Sequence, residues 1–222
     1  MPDSDPAAIE LKRYPVLDYL AALEEQRRLH RLVQTGDSPG FLMLVQHPPT
    51  LTLGRHATAD NLLWSRDQYE AQGVAVVETD RGGEVTAHMP GQTVMYPIIP
   101  LARHKLSPRP FVDKLMQAVI ATLGAFAIEA HQDPEHPGVW VGADKICAVG
   151  VRIRSRVSMH GIALNVNNSL SLFEAIVPCG IHGRGVTSMS WLRGEPVDQR
   201  LVEQCLVRNF ADKMALPIRN DG

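Results

Sequence analysis

Short apolar runs of strand length dominate this chain, and they do not alternate with helices. The runs are Phe41 to Val45, Thr50 to Leu53, Val74 to Glu78, Thr93 to Ile99, Gly138 to Val141, Lys145 to Ile153 and Ser158 to Val166. The first two flank a His47-Pro48-Pro49 turn. Helical spacing is found at only three places. Val16, Leu20 and Leu23 follow Pro15 and predict a helix from about Val16 towards His30. Pro108 and Pro110 open the clearest helix, because Phe111, Leu115, Val119, Leu123 and Phe126 step by three and four along one face. Asp198 is the expected N-cap of the last helix, with Val202, Cys205, Leu206 and Phe210 as its apolar stripe. Strict strand–helix alternation would build a parallel sheet. Separated helices among many strands predict an α+β fold, with helices packed against a mostly antiparallel or mixed sheet.

The 222 residues suffice for one catalytic domain spanning 1–222, with a small C-terminal subdomain expected from about residue 178. A chain of this length buries roughly 70% of its unfolded surface and needs no disulfide or metal to hold a core. Twenty-two Lys and Arg balance 24 Asp and Glu, so no basic stripe points to nucleic acid. The first ten residues carry Asp3, Asp5 and Glu10 without an apolar core, unlike a signal peptide, and no apolar run is long enough for a membrane span. Three cysteines, Cys147, Cys179 and Cys205, cannot close a disulfide framework, which predicts reduced thiols and a cytoplasmic protein.

Three segments carry chemistry. Cys179 lies in Val177-Pro178-Cys179-Gly180-Ile181, where proline restricts the backbone before the thiol and glycine permits a sharp turn after it. Such a thiol suits a nucleophile, and equally a small residue packed in a loop. Lys145 opens an apolar run as either a solvated edge residue or a cation that favours a thiolate. Arg81-Gly82-Gly83-Glu84 begins a glycine-rich turn, which is either an ordinary connection or a nest of backbone N–H groups facing a ligand oxygen. The nine histidines show no HExxH spacing and the cysteines no CxxC, so no metal is expected; no P-loop is present either. Read alone, His56 and His160 serve structure.

Together these segments resemble the lipoate-protein octanoyltransferases over nearly the whole chain. The resemblance rests on the RGGxxTxH run from Arg81 to His88 and Pro90-Gly91-Gln92, on Lys145-Ile146 and Gly150-Val151-Arg152, and on His160 to Asn165 and Pro178-Cys179-Gly180-Ile181. It implies a fold shared with the catalytic domains of biotin and lipoate protein ligases: a mixed β-sheet flanked by helices around an acyl-binding cavity. It also implies transfer of octanoyl from octanoyl-acyl carrier protein, through a cysteine thioester, to a specific lysine of a lipoyl domain. The implied acceptors are the lipoyl domains of 2-oxoacid dehydrogenases and the glycine cleavage H protein. No cofactor, membrane or nucleic acid is implied.

Carried over by position, Cys179 is the nucleophile and Lys145 the residue that favours its thiolate. Arg81, Gly82, Gly83, Glu84, Val85, Thr86, Ala87 and His88 bind the acyl substrate, as do Ala148, Val149 and Gly150, and Gly161, Ile162 and Ala163. The chain departs from the family at Ala87, usually aromatic, at Met89, usually glycine, and at Met159, often tyrosine. Ala87 and Met89 are therefore expected to reshape the cavity. Cys147 replaces a usual alanine, and regular strand geometry would point it to the same face as Lys145. Two related activities compete with this reading: an octanoyl amidotransferase, and an ATP-dependent lipoate-protein ligase, which needs no cysteine. A module that only binds carrier proteins would need neither Cys179 nor Lys145.

Overall fold

The computed structural model describes residues 7–177 and 184–220; Cys179 and its neighbours from 178 to 183 lie outside the described residues. Eleven strands form two sheets among the described residues. The larger sheet contains β1 (Ile9–Tyr14), β2 (Phe41–Val45), β6 (Gln92–Ile98), β7 (His131–Gln132), β8 (Val139–Val141), β9 (Asp144–Arg154), β10 (Val157–Asn165) and β11 (Ile218–Asn220). Its order is β11-β1-β2-β6-β10-β9-β8-β7. The pairs β1–β11 and β1–β2 are parallel and the rest antiparallel, so the sheet is mixed. The smaller sheet sets β3 (Thr50–Leu53) between β4 (Ala75–Glu78) and β5 (Val85–His88).

Helices cover both faces of the large sheet, which explains why β2 reads as the unbroken apolar run FLMLV; two short helices, α2 (Arg66–Ala71) and α4 (Met189–Arg193), accompany the three long ones. Leu42 and Leu44 join one core with Phe111, Leu115 and Val119 of α3 (Pro108–Ala125) and with Val202, Leu206 and Phe210 of α5 (Gln199–Met214). Phe41, Met43 and Val45 point the other way and pack with Leu29 and Val33 of α1 (Tyr19–Thr35). Each such side chain contributes about 1.5–3 kcal/mol on leaving water. The core on the α3 side therefore draws on residues from Ile9 near one end to Leu216 near the other. Among the described residues, no helix is long and apolar enough to cross a membrane.

The helix starts follow their caps. Asp198 accepts the Leu201 N–H at 3.1 Å, as its position before the apolar stripe predicts. The first helix differs from its expected phase. Asp18 caps it by accepting from Leu20 and Ala21 at 2.9 and 3.1 Å, an arrangement worth about 1 kcal/mol. Val16 and Leu20 are 56% and 57% exposed, and the buried stripe is Tyr19, Ala22, Leu23, Gln26, Leu29, His30 and Val33. Polar residues on that stripe hide it from hydrophobic periodicity. The glycine-rich stretch after Arg81 also holds more structure than a turn, since β5 begins at Val85 and pairs Leu53 with Val85 and Thr50 with His88.

Candidate active site

A cavity of about 360 Å³ lies where the Arg81 turn and β5 of the small sheet meet β9 and β10 of the large one. The turn contributes Arg81, Gly83 and Glu84, and the strand after it Val85, Thr86 and His88. Facing them, β9 supplies Lys145, Ala148, Val149 and Gly150, and β10 supplies Gly161, Ile162 and Ala163. Two expected binding residues are not in this wall. Gly82 donates its N–H to the Val151 carbonyl at 3.2 Å, so that group is already used and does not face a substrate oxygen. Ala87 is a fully buried residue of β5, packed among Leu51, Tyr69, Val85 and Phe173, and Met89 packs against the same cluster. The expectation that Ala87 and Met89 size the cavity is corrected by that packing.

Arg81 organises the turn from within. Its guanidinium donates to Thr52 Oγ1 at 3.1 Å, to the Gly82 carbonyl at 3.0 Å and to the Glu84 carbonyl at 2.8 Å. These bonds tie β3 to the loop before β5 and leave Gly83 with a left-handed φ of 85°. Gly150 makes the approach of the turn to β9 possible. A Cβ at that position would stand 2.9 Å from the Gly82 carbonyl oxygen and 3.1 Å from Arg81 Cδ.

The inner part of the cavity is unexpectedly polar. Tyr19, His88, Gln92, Tyr96, His160 and Asn165 all line it. His88 Nδ1 meets Gln92 Oε1 at 2.9 Å, and Gln92 donates to Asn165 Oδ1 at 2.9 Å, while the Tyr19 ring stacks on His88 and the Tyr96 ring meets His160 edge-on, with centroids 5.6 and 6.3 Å apart. Behind them His47 bridges the Leu17 carbonyl and the Tyr96 hydroxyl at 2.8 and 2.9 Å. Burial pushes these imidazoles towards neutrality: His47 falls to about 4, His160 to about 3, and His88 well below its ordinary value. Burial likewise raises Tyr96 well above the usual phenol. At neutral pH these rings are uncharged hydrogen-bonding groups. The sequence offers no signal for Tyr19 or Tyr96, and its structural reading of His56 and His160 is incomplete, because both line the cavity.

Lys145 reaches the cavity from the start of β9 and is only 9% exposed. Its N–H donates to Gly185 O, and Thr187 donates to Lys145 O, each at 3.0 Å. Before the undescribed segment, Val177 N donates to Asn61 O at 3.0 Å, while Asn61 Nδ2 donates to Val177 O at 3.3 Å and to Glu84 Oε2 at 3.4 Å. Residues on both sides of 178–183 are thus bonded to cavity residues or their immediate partners.

Cys147 does not follow the regular-strand expectation. Trp140 pairs with Lys145 but Val139 with Cys147, so β9 takes two steps for one on β8. Beyond this irregularity Cys147 is 1% exposed and packs in the α3-side core, with burial pushing its thiol up to about 12. Among the described residues, no group of three or more His, Cys, Asp or Glu side chains could hold a metal ion.

Residues 18–211 match the model of the lipoyl protein ligase A/B catalytic domain. A protein from Chloroflexus aggregans named octanoyltransferase is 48% identical over 209 residues, covering 90% of this chain and 95% of its own. The fold is similar to that of a lipoate-protein ligase A bound with ATP, with TM-score 0.79 and 17% identity over 96% of this chain and 88% of that one. A biotin protein ligase from Aquifex aeolicus, in complex with biotin and ATP, gives TM-score 0.55 and 14% identity over 93% and 69% of the two chains.

Proposed function

This chain belongs to the octanoyltransferases of the lipoyl protein ligase A/B catalytic-domain family, and from that premise we propose its reaction in two steps. In the first, the Cys179 thiolate attacks the carbonyl carbon of octanoyl-acyl carrier protein. The carrier thiolate leaves and takes a proton from the Lys145 ammonium. In the second, the amine of a specific lysine on a lipoyl domain attacks the Cys179 thioester. The amide forms, Cys179 departs as thiolate, and the surplus proton returns to Lys145. Each cycle ends with the thiolate–ammonium pair restored.

The observation that carries this reading is the mostly apolar cavity beside Lys145, walled by Val85, Val149, Ile162 and Ala163. Such a wall suits an eight-carbon chain, with Arg81, Gly83 and Glu84 of the turn lining its other side. Cys179 enters through its sequence motif. The energy of the donor thioester replaces ATP. The proposed acceptors are the lipoyl domains of 2-oxoacid dehydrogenases and the glycine cleavage H protein. The proposed setting is the cytoplasm, where the free thiols of Cys147 and Cys205 stay reduced.

Purified protein, octanoyl-acyl carrier protein and apo lipoyl domain, mixed without nucleotide or magnesium, form the test. Octanoylated lipoyl domain is the expected product. Strict dependence on ATP and free octanoate would overturn the reading in favour of a ligase.

A further inference from the structure

Trp140 stands in β8 beside Lys145 and is almost completely buried. The Lys145 ammonium lies over its indole, 4.8 Å from the ring centroid, and the Arg184 guanidinium lies over the same ring at 4.8 Å. The ring cannot turn freely, because Nε1–H donates to the His136 carbonyl at 3.0 Å. Arg184 is fixed in turn by Asp133, at 2.5 Å from Nη1 to Oδ2. The main chain repeats the association: Lys145 and the 185–187 segment exchange two hydrogen bonds, and Asp144 Oδ1 accepts the Gly185 N–H at 3.1 Å.

We propose that Trp140 is a positioning residue for the transfer reaction, holding the Lys145 ammonium on its π face at the cavity edge. This rests on the reading that Lys145 pairs with Cys179. A lysine has a long flexible stem, and an ammonium withdrawn from water loses its solvation. The indole face answers both problems, since it attracts a cation electrostatically and fixes where the charge sits. Indole is also the strongest of the aromatic cation binders, which gives a reason for tryptophan rather than phenylalanine at this point. The charged or titratable groups around the ring are Lys145 from β9, His131, paired across from Trp140 on β7, Asp133, Glu135 and His136 from the loop between β7 and β8, and Arg184. Arg184 and Asp133 fasten the residues after 183 to the same ring, so one side chain sets the geometry of the lysine and of the returning chain.

Progressive fluorination of the ring weakens its attraction for a cation with little change of shape. Trp64 and Trp191 are exposed, so Trp64→Phe and Trp191→Phe leave Trp140 as the sole tryptophan of the full-length protein. Mono- to tetrafluorinated tryptophan is then incorporated. The rate of Cys179 alkylation by iodoacetamide is followed across pH by peptide mapping, beside thermal unfolding and octanoyl transfer. The profile is expected to move to higher pH with each fluorine, with the rate at pH 7 falling about tenfold across the series. Trp140→Leu should match the most fluorinated protein, and Trp140→Phe should retain an intermediate profile. An unchanged profile across a folded fluorination series overturns the proposal, whatever happens to the unfolding temperature. Lys145→Ala in the same background separates the two ideas. If it shifts the profile while fluorination does not, only the role of Trp140 falls; if it shifts nothing, the Lys145–Cys179 pairing itself fails.

Discussion

His160 Nε2 lies 2.9 Å from Asp80 Oδ1, joining the middle of β10 to the residue before Arg81. Arg152 pairs with the same carboxylate, so two neighbouring strands hold the start of the cavity turn. His160 adopts a left-handed φ of 56° to do this, and Gln26 Oε1 accepts its N–H at 2.8 Å. A left-handed non-glycine residue costs on the order of 1–3 kcal/mol, a cost that such anchoring can offset.

The buried histidines make stability depend on pH in a defined direction. Burial, followed by the charges of Arg81, Arg152 and Arg27, holds His160 down to about 3, and burial holds His47 down to about 4. Unfolded histidine binds its proton near pH 6.5, so below that pH the unfolded chain takes up protons that the folded chain refuses. Stability from these groups is complete above about pH 7 and is lost as pH falls towards the folded values. Each histidine adds a slope of up to about 1.4 kcal/mol per pH unit. Urea unfolding between pH 7 and 5 measures it. His160→Asn, which tolerates the left-handed backbone, should flatten the slope by about one proton; an identical slope would contradict the assignment.

Ala87 makes a prediction about packing. An aromatic side chain there would enter the full cluster of Leu51, Tyr69, Val85 and Phe173. Ala87→Tyr should therefore destabilise the protein by about 1–3 kcal/mol or more while leaving the octanoyl-to-decanoyl ratio of kcat/KM unchanged. Denaturant unfolding and donor competition read the two effects separately. A changed ratio in a protein of parental stability would put Ala87 back in contact with the chain.

Gly150→Ala tests the closure of the Arg81 turn. The added methyl would meet the Gly82 carbonyl oxygen, a backbone atom with little freedom to retreat. Displacing this wall should lower kcat/KM for the octanoyl donor about tenfold, equivalent to ~1.4 kcal/mol of lost transition-state binding. Far-ultraviolet circular dichroism should remain parental. Parental kinetics would show that the turn can shift without consequence.

Much of this architecture is legible in the sequence where one local signal suffices. Phe111 through Leu123 repeat on one helical face, Asp198 stands before an apolar stripe, and β2 is apolar on both faces because both are covered. The first helix is misread because Tyr19, Gln26 and His30 occupy its buried face while Val16 and Leu20 face solvent. The site divides in the same way. The glycine-bearing motifs mark the turn and the two strands of the cavity wall. The polar inner network is hidden, because Tyr19, Tyr96 and His160 come from distant elements and only the fold brings them together. Cys147 escapes because a register shift between β8 and β9 cannot be read from alternation.

Intact-mass analysis of the protein mixed with octanoyl-acyl carrier protein, without acceptor, tests the proposed reaction most directly. The account predicts a gain of one octanoyl group, released by hydroxylamine and mapped to the Cys179 peptide. Cys179→Ser should abolish it, because a serine hydroxyl is a poor nucleophile at neutral pH without comparable activation. Octanoyl transfer to the lipoyl domain at the parental rate by Cys179→Ser, or an acyl group mapped to Cys147 or Cys205, would contradict the account.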